Sequence, residues 1–326
     1  MKQNNRNALL DLISVGRIKQ ENIEEVLTIA NLKPTSYEFL VFLRTLLVWV
    51  GAISLIMSLL FFMAFNWGEL GHFTKFMIVE SIMLLSVLSY LFLDKFELLK
   101  KVSLMLSSIS LGILLALIGQ TYQTGADPWQ LFAVWALFMT PWAVVASFSG
   151  LWILWILLIN LGALLFFQKF DLSIFALFEV QNTLLLLTFT LNTTLWILWE
   201  FLAPKYETFR SQISINFLAF FSLASVSTLV IFNLFEFSEG RLALYFVLYV
   251  LTLASVYYIY RIREVNLYMM SLYALSLFFL SISLLIRFMF EIEHDFVVGT
   301  ILTLALIIGL TTFIVSWMKK LRKELS

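Results

Sequence analysis

No cysteine occurs anywhere in the chain, which excludes disulfides, thiolate nucleophiles and cysteine-ligated metals. Charge is scarce as well. Only 13% of the 326 residues are charged, about half of the roughly 25% usual in soluble domains. A globule of this length could not cover its surface with so few charges, so lipid must be the solvent for much of it. The net charge is zero, which leaves no electrostatic case for nucleic acid. Proline and glycine are few, at 4 and 12, and histidine occurs twice. No GxSxG elbow, Walker A loop or HExxH pair is present, so the common hydrolase, nucleotide and zinc-protease sites have no carrier. No cofactor or metal set is expected. The polar segment Met1–Asn7 is followed by no apolar stretch of signal-peptide type, so the first apolar run is expected to direct membrane insertion.

What is abundant is apolar and aromatic. Hydrophobic residues make up 61% of the chain, with 33 Phe and 10 Trp. The apolar runs are continuous rather than alternating, which suits helices and not a β-barrel. About 20 apolar residues cross a hydrocarbon core. Cutting at charged and turn-forming clusters gives ten windows of that kind: Thr45–Phe65, Phe73–Leu93, Val102–Gly119, Leu131–Phe148, Leu151–Phe167, Thr183–Phe201, Ile213–Phe235, Leu242–Tyr260, Tyr268–Phe290 and Val297–Met318. The fold class is therefore all-α, a polytopic transmembrane bundle. Only Ser149 and Gly150 separate the fourth and fifth windows, and eight spans result if that pair does not cross. Pro141 falls inside the fourth and is expected to kink it.

Charge orients the bundle. If the N-terminus is cytoplasmic, 17 Lys and Arg lie inside and four, Lys75, Lys169, Arg241 and Arg287, lie outside. This split fits the positive-inside rule with both termini in the cytoplasm and an even number of spans.

Three regions follow: residues 1–36, 37–150 and 151–326. In the first, Leu9, Leu10, Leu12 and Ile13 precede Gly16, and Ile23, Val26, Leu27 and Ala30 follow it. The spacing predicts two short amphipathic helices joined by a glycine turn, on the cytoplasmic side. Residues 8–30 could dock on the bundle, lie on the bilayer or bind a protein partner.

Ionisable residues within spans mark functional sites by default. Arg44, Glu200 and Arg287 lie near span ends, where side chains can reach water. Glu80 lies about seven residues into the second window, roughly 10 Å deep, and is expected to be paired, protonated or facing a wet cavity. The loop Gly119–Gln130 is rich in amides and hydroxyls and has no basic residue. Asp127 and Pro128 read as helix N-cap and first helical residue, with Trp129 at interface level. Asn66 and Trp67 end the first window on the same side. The eight residues Asn66, Trp67, Glu80, Gln120, Tyr122, Gln123, Asp127 and Trp129 are expected to converge on the outer face. His72 and His294, with Glu291, Glu293 and Asp295, read as solvated outer loops.

Two motifs carry a resemblance. Phe62-Met63-Ala64-Phe65-Asn66-Trp67 is similar to the F-x-A-x-N-W signature of a bacterial membrane protein family catalogued as domain of unknown function 2157. Gly119, Gln120, Tyr122, Asp127 and Trp129, followed by Trp135, resemble its G-Q-x-Y-x-x-x-x-D-x-W signature. The resemblance covers roughly residues 5–150 and departs at Lys19, where the family usually has Ser or Thr. It implies a multi-pass bacterial inner-membrane protein and brings no activity with it.

Three functions compete. Ten spans, a carboxylate inside a span and a polar outer patch suggest a transporter-like protein for a small solute or lipid component. The amphipathic N-terminal segment suggests a non-catalytic assembly or sensory partner. An enzyme acting on a lipid or envelope substrate would use Glu80, Asp127 and His72, but no nucleophile accompanies them.

Overall fold

The structure is a computed structural model that describes residues 36–65, 68–93, 96–170, 180–236, 239–263, 265–291 and 296–324. The expected N-terminal helix pair, Asn66, Trp67 and the loop bearing His294 lie outside the described residues.

Among the described residues ten long helices follow one another: α1 Ser36–Phe65, α2 His72–Phe92, α3 Glu97–Tyr122, α4 Pro128–Ala146, α5 Ser149–Phe170, α6 Val180–Leu202, α7 Gln212–Phe235, α8 Glu239–Tyr257, α9 Leu267–Glu291 and α10 Phe296–Glu324. A short 3₁₀ turn, Glu207–Phe209, precedes α7, and a π-helical segment, Tyr258–Arg263, extends α8. All ten are long and apolar enough to cross a membrane, and each expected window maps onto one of them. The tight junction between the fourth and fifth is made by Ser147, whose φ of 45° ends α4 in the left-handed region. The helix is continuous through Pro141.

Successive helices run antiparallel, so the bundle has two poles. The last residues of α1, α3, α5, α7 and α9 and the first of α2, α4, α6, α8 and α10 lie at one, here the amide pole. The other, the basic pole, carries Lys205, Arg210, Arg261, Arg263 and the end of α10. Cross-links agree with this alternation. Lys169 reaches Asp127 at the amide pole, and Arg261 reaches Glu324 at the basic pole.

The tightest pairs are the hairpins α2–α3, α4–α5 and α6–α7. Helix α7 is the hub, packing on α5, α6, α8 and α9. Its inward side alternates Leu218, Val226, Leu229 and Val230 with Ser214, Ser222 and Asn233, all essentially buried. In lipid the hydrophobic effect gives little preference for helix–helix over helix–lipid contact, so close packing and interhelical hydrogen bonds decide association. Both are evident. Asn160 of α5 and Asn192 of α6 form a reciprocal amide pair at 3.1 and 2.7 Å, while each donates its second N–H to its own helix, to Ile156 O and Thr188 O. Asn182 of α6 and Asn233 of α7 repeat this pairing at 3.1 and 2.7 Å. Thr193 meets Ser222 at 2.6 Å, and Ser276 of α9 links Tyr249 of α8 to Ser227 of α7 at 2.8 Å each.

At the basic pole, Trp152, Trp155, Trp199 and Phe209 interlock edge to face, with Trp152 and Trp199 centroids 5.0 Å apart. Trp152 Nε1 donates to Thr208, which ties the 3₁₀ turn to α5. Helix α1 packs on α3, with Trp49 stacked on Phe148, and α10 packs on α9.

The α3–α4 contact depends on a missing side chain. The Trp135 indole lies directly over Gly112 and donates to Ser108 O at 2.8 Å. A Cβ at Gly112 would lie inside the ring's contact surface. Gly112→Ala is therefore expected to displace Trp135 and cost about 1–3 kcal/mol, the usual range for overpacking. Thermal unfolding in detergent checks this. The loss should shrink in a Trp135→Phe background, because contacting residues couple.

Candidate functional site

The amide pole is built by the α3–α4 junction. Helix α3 ends at Tyr122, and Gln123 takes the left-handed conformation, φ 43°, as its C-cap. Gly125, at φ 64°, turns the chain again. Asp127 then caps α4, with Pro128 in the first turn, as the sequence indicates. Gln130 returns its side-chain oxygen to the Asp127 N–H at 3.2 Å. The Asp127 carboxylate accepts from Lys169 at the end of α5 at 2.6 Å. Trp129 packs edge-on against Phe166, with centroids 4.9 Å apart. The loop is thus pinned to α5 by one ion pair and one aromatic contact.

This pinning leaves a groove of about 840 Å³ between α3 and α4. Gln120, Gln123, Asp127, Trp129 and Gln130 line its loop end; Leu115, Ile118, Leu131 and Val134 line the part that descends along both helices. The indole nitrogen of Trp129 is buried, with no hydrogen-bond partner among the described residues.

Glu80 and Tyr122 lie elsewhere. A second groove of about 530 Å³ runs between α2 and α3, lined by His72, Phe76, Glu80, Ile118, Thr121 and Tyr122 among others. Thr121 and His72 are 3.4 Å apart at its mouth. Ile118 borders both grooves, so they flank the end of α3. Glu80, expected to be paired, protonated or facing a wet cavity, lines this groove with its side chain exposed. Helix α2 turns Lys75, Val79 and Ser86 inward. That stripe follows the four- and seven-residue repeat of a packed helix face, and Glu80, about 100° round from Val79, is carried off it. Glu80 has no hydrogen-bond or ion-pair partner among the described residues. Arg287, near the amide-pole end of α9, donates to the carbonyl of Leu234.

Of the eight residues read from the sequence, four share the α3–α4 groove, two share the α2–α3 groove, and Asn66 and Trp67 lie outside the described residues. Among the described residues no three His, Asp or Glu side chains cluster as a metal would need. Sequence reasoning missed the polar residues of the second half. Asn160, Asn182, Asn192, Asn233 and the Tyr249–Ser276–Ser227 chain are buried between helices. Their signal was polar residues inside apolar windows. They carry no charge, so they do not stand out as ionisable groups within a span do.

Ten membrane-length helices among the described residues, around a tightly packed hub, define a multi-pass helical membrane protein. Residues 11–152 match the model of the family described as Predicted membrane protein (DUF2157), so the resemblance carried by the two motifs is borne out over that stretch. No curated protein and no solved structure matches the chain.

Proposed function

We propose that the protein is transporter-like and that its α3–α4 groove takes up an amphiphile with an uncharged, hydrogen-bonding head at the outer face of a bacterial inner membrane. The observation that carries this reading is the gradient along the groove. Its loop end presents amides, and its walls become apolar over the next turn or two of each helix. An amphiphile with its head at the interface and its tail in hydrocarbon meets the same gradient. The head is uncharged because Lys169 already neutralises Asp127. What remains are amides, which donate and accept at once and so suit hydroxyls or amides of a ligand. Orientation follows from the basic residues at the opposite pole, the mark of a cytoplasmic side. Glu80 gives the adjoining groove one titratable group within a span. Acid–base catalysis is less well supported: Glu80 and Asp127 lie in separate grooves, and Asp127 is held by Lys169.

Single-cysteine labelling tests both parts in a chain with no native thiol. Ala126→Cys should react with an impermeant maleimide added outside intact cells, and Ser326→Cys should not. The reverse pattern would overturn the orientation. In nanodiscs, an environment-sensitive dye at residue 126 should respond saturably to dodecyl glucoside. Dodecyltrimethylammonium and dodecyl sulfate should give only non-saturable partitioning. Equal, non-saturable responses to all three would remove the groove as a binding site.

A further inference from the structure

We propose that a second groove, between α6 and α8 at the basic pole, holds one phospholipid of the adjoining leaflet, with its ammonium head on Glu200. This site is independent of the α3–α4 groove. It begins with a carboxylate in an unusual setting. Glu200 is exposed near the end of α6, and its one hydrogen bond among the described residues comes from the Tyr260 hydroxyl. No cation stands within ion-pair distance of it among the described residues. Two cations of this pole are engaged elsewhere: Arg261 pairs with Glu324 at 2.8 Å, and Lys205 sits 3.8 Å over the Phe201 ring.

Tyr260 is positioned for this contact by two devices. It lies in the π-helical segment Tyr258–Arg263, and the Asn266 N–H closes onto Tyr260 O at 3.1 Å. Inserted π turns of this kind recur at functional sites. Its ring stacks on Trp196 with centroids 5.9 Å apart and planes 7° off parallel, and Trp196 Nε1 donates to the Tyr260 hydroxyl at 3.2 Å. Tyr260 and Trp196 are both buried. The result is a fixed carboxylate beside aromatic rings, the combination that attracts an ammonium group.

The rest of the groove, about 430 Å³, is apolar. Its hydroxyls are engaged within the protein: Thr252 donates to Leu248 O and Ser255 to Leu251 O, each at 2.8 Å, and Thr193 meets Ser222 at 2.6 Å. From Tyr260 to Leu248 the α8 wall runs roughly 18 Å at 1.5 Å per residue, close to the roughly 15 Å of hydrocarbon in one leaflet. An acyl chain lying along it leaves its head at the level of Glu200. A primary ammonium can donate to the Glu200 oxygen that Tyr260 leaves open. A head with a hydroxyl and net negative charge, as in phosphatidylglycerol, meets repulsion there.

Native mass spectrometry of the full chain in micelles containing equal phosphatidylethanolamine and phosphatidylglycerol tests this. The wild type should retain one phosphatidylethanolamine over phosphatidylglycerol by about tenfold, the effect of one charge-assisted hydrogen bond. Glu200→Gln should erase the preference without lowering the unfolding temperature, since its side-chain oxygen still accepts from Tyr260. Ile197→Trp, which fills the apolar wall and keeps the carboxylate, should release the lipid. An unchanged lipid ratio in both variants overturns the proposal. So does retention of dodecylammonium with no bound phosphatidylethanolamine, which would make the occupant a free cation.

Discussion

Asn192→Leu is expected to destabilise the folded bundle by about 1–3 kcal/mol, the cost of leaving a buried polar group without its partner. The substitution removes the donor to Asn160 Oδ1, which is buried at mid-span between α5 and α6. Asn160 keeps its bond to Ile156 O, but its oxygen then has nothing to accept from in a region without water. Interhelical hydrogen bonds in membranes contribute less on average, about 0.6 kcal/mol, because the dissociated helices also find partners. The position matters here, since the pair closes on itself and each amide also bonds its own helix. Removing both amides leaves nothing unsatisfied, so Asn160→Leu with Asn192→Leu should recover most of the loss. Unfolding of reconstituted protein by denaturant, read by the α5–α6 tryptophans, gives the comparison. Single and double variants of equal stability would show that the amides do not hold these helices together.

The second large effect is on ligand binding. Gln120→Leu combined with Gln123→Leu removes two amides from the polar end of the α3–α4 groove and leaves its apolar walls intact. Gln120 and Gln123 are exposed, so stability should change little. Loss of two hydrogen bonds of roughly 1 kcal/mol each corresponds to about a tenfold to thirtyfold weaker dissociation constant for dodecyl glucoside. Binding driven by the alkyl tail alone would be unchanged or tighter, because leucine enlarges the apolar surface. The direction of the change therefore separates head recognition from partitioning.

The span architecture was legible in the sequence because lipid imposes a simple rule: a helix must be apolar over its crossing length. Even the two-residue junction between α4 and α5 is resolved as two full helices by Ser147. The helix start at Asp127-Pro128 was also legible, since capping is local chemistry. Which residues face each other was not. The depth of Glu80 in its span left its setting open, because depth fixes only one coordinate. Its rotation about α2 is set by the Lys75, Val79, Ser86 stripe, which becomes the packed face only once α3 is in place. The same lack hid the amide pairs. Asn160 and Asn192 are 32 residues apart and Asn182 and Asn233 are 51 apart, so their contact depends on the packing of α5, α6 and α7. Glu200 lies near the end of its helix, as the sequence indicates. Its partner Tyr260 was hidden because a π-helical segment, not an ordinary α-helix, sets the direction of that ring.

Photo-crosslinking decides whether the α3–α4 groove takes up an amphiphile. An alkyl glucoside carrying a diazirine in its tail, added to the reconstituted protein and activated by light, should label the apolar groove wall. Peptide mapping should place the label at Leu115, Ile118, Leu131 and Val134, and Gln120→Leu with Gln123→Leu should abolish it. Label spread evenly over exposed apolar helices such as α1 and α10, and unaffected by the two substitutions, would mean that the groove binds no amphiphile.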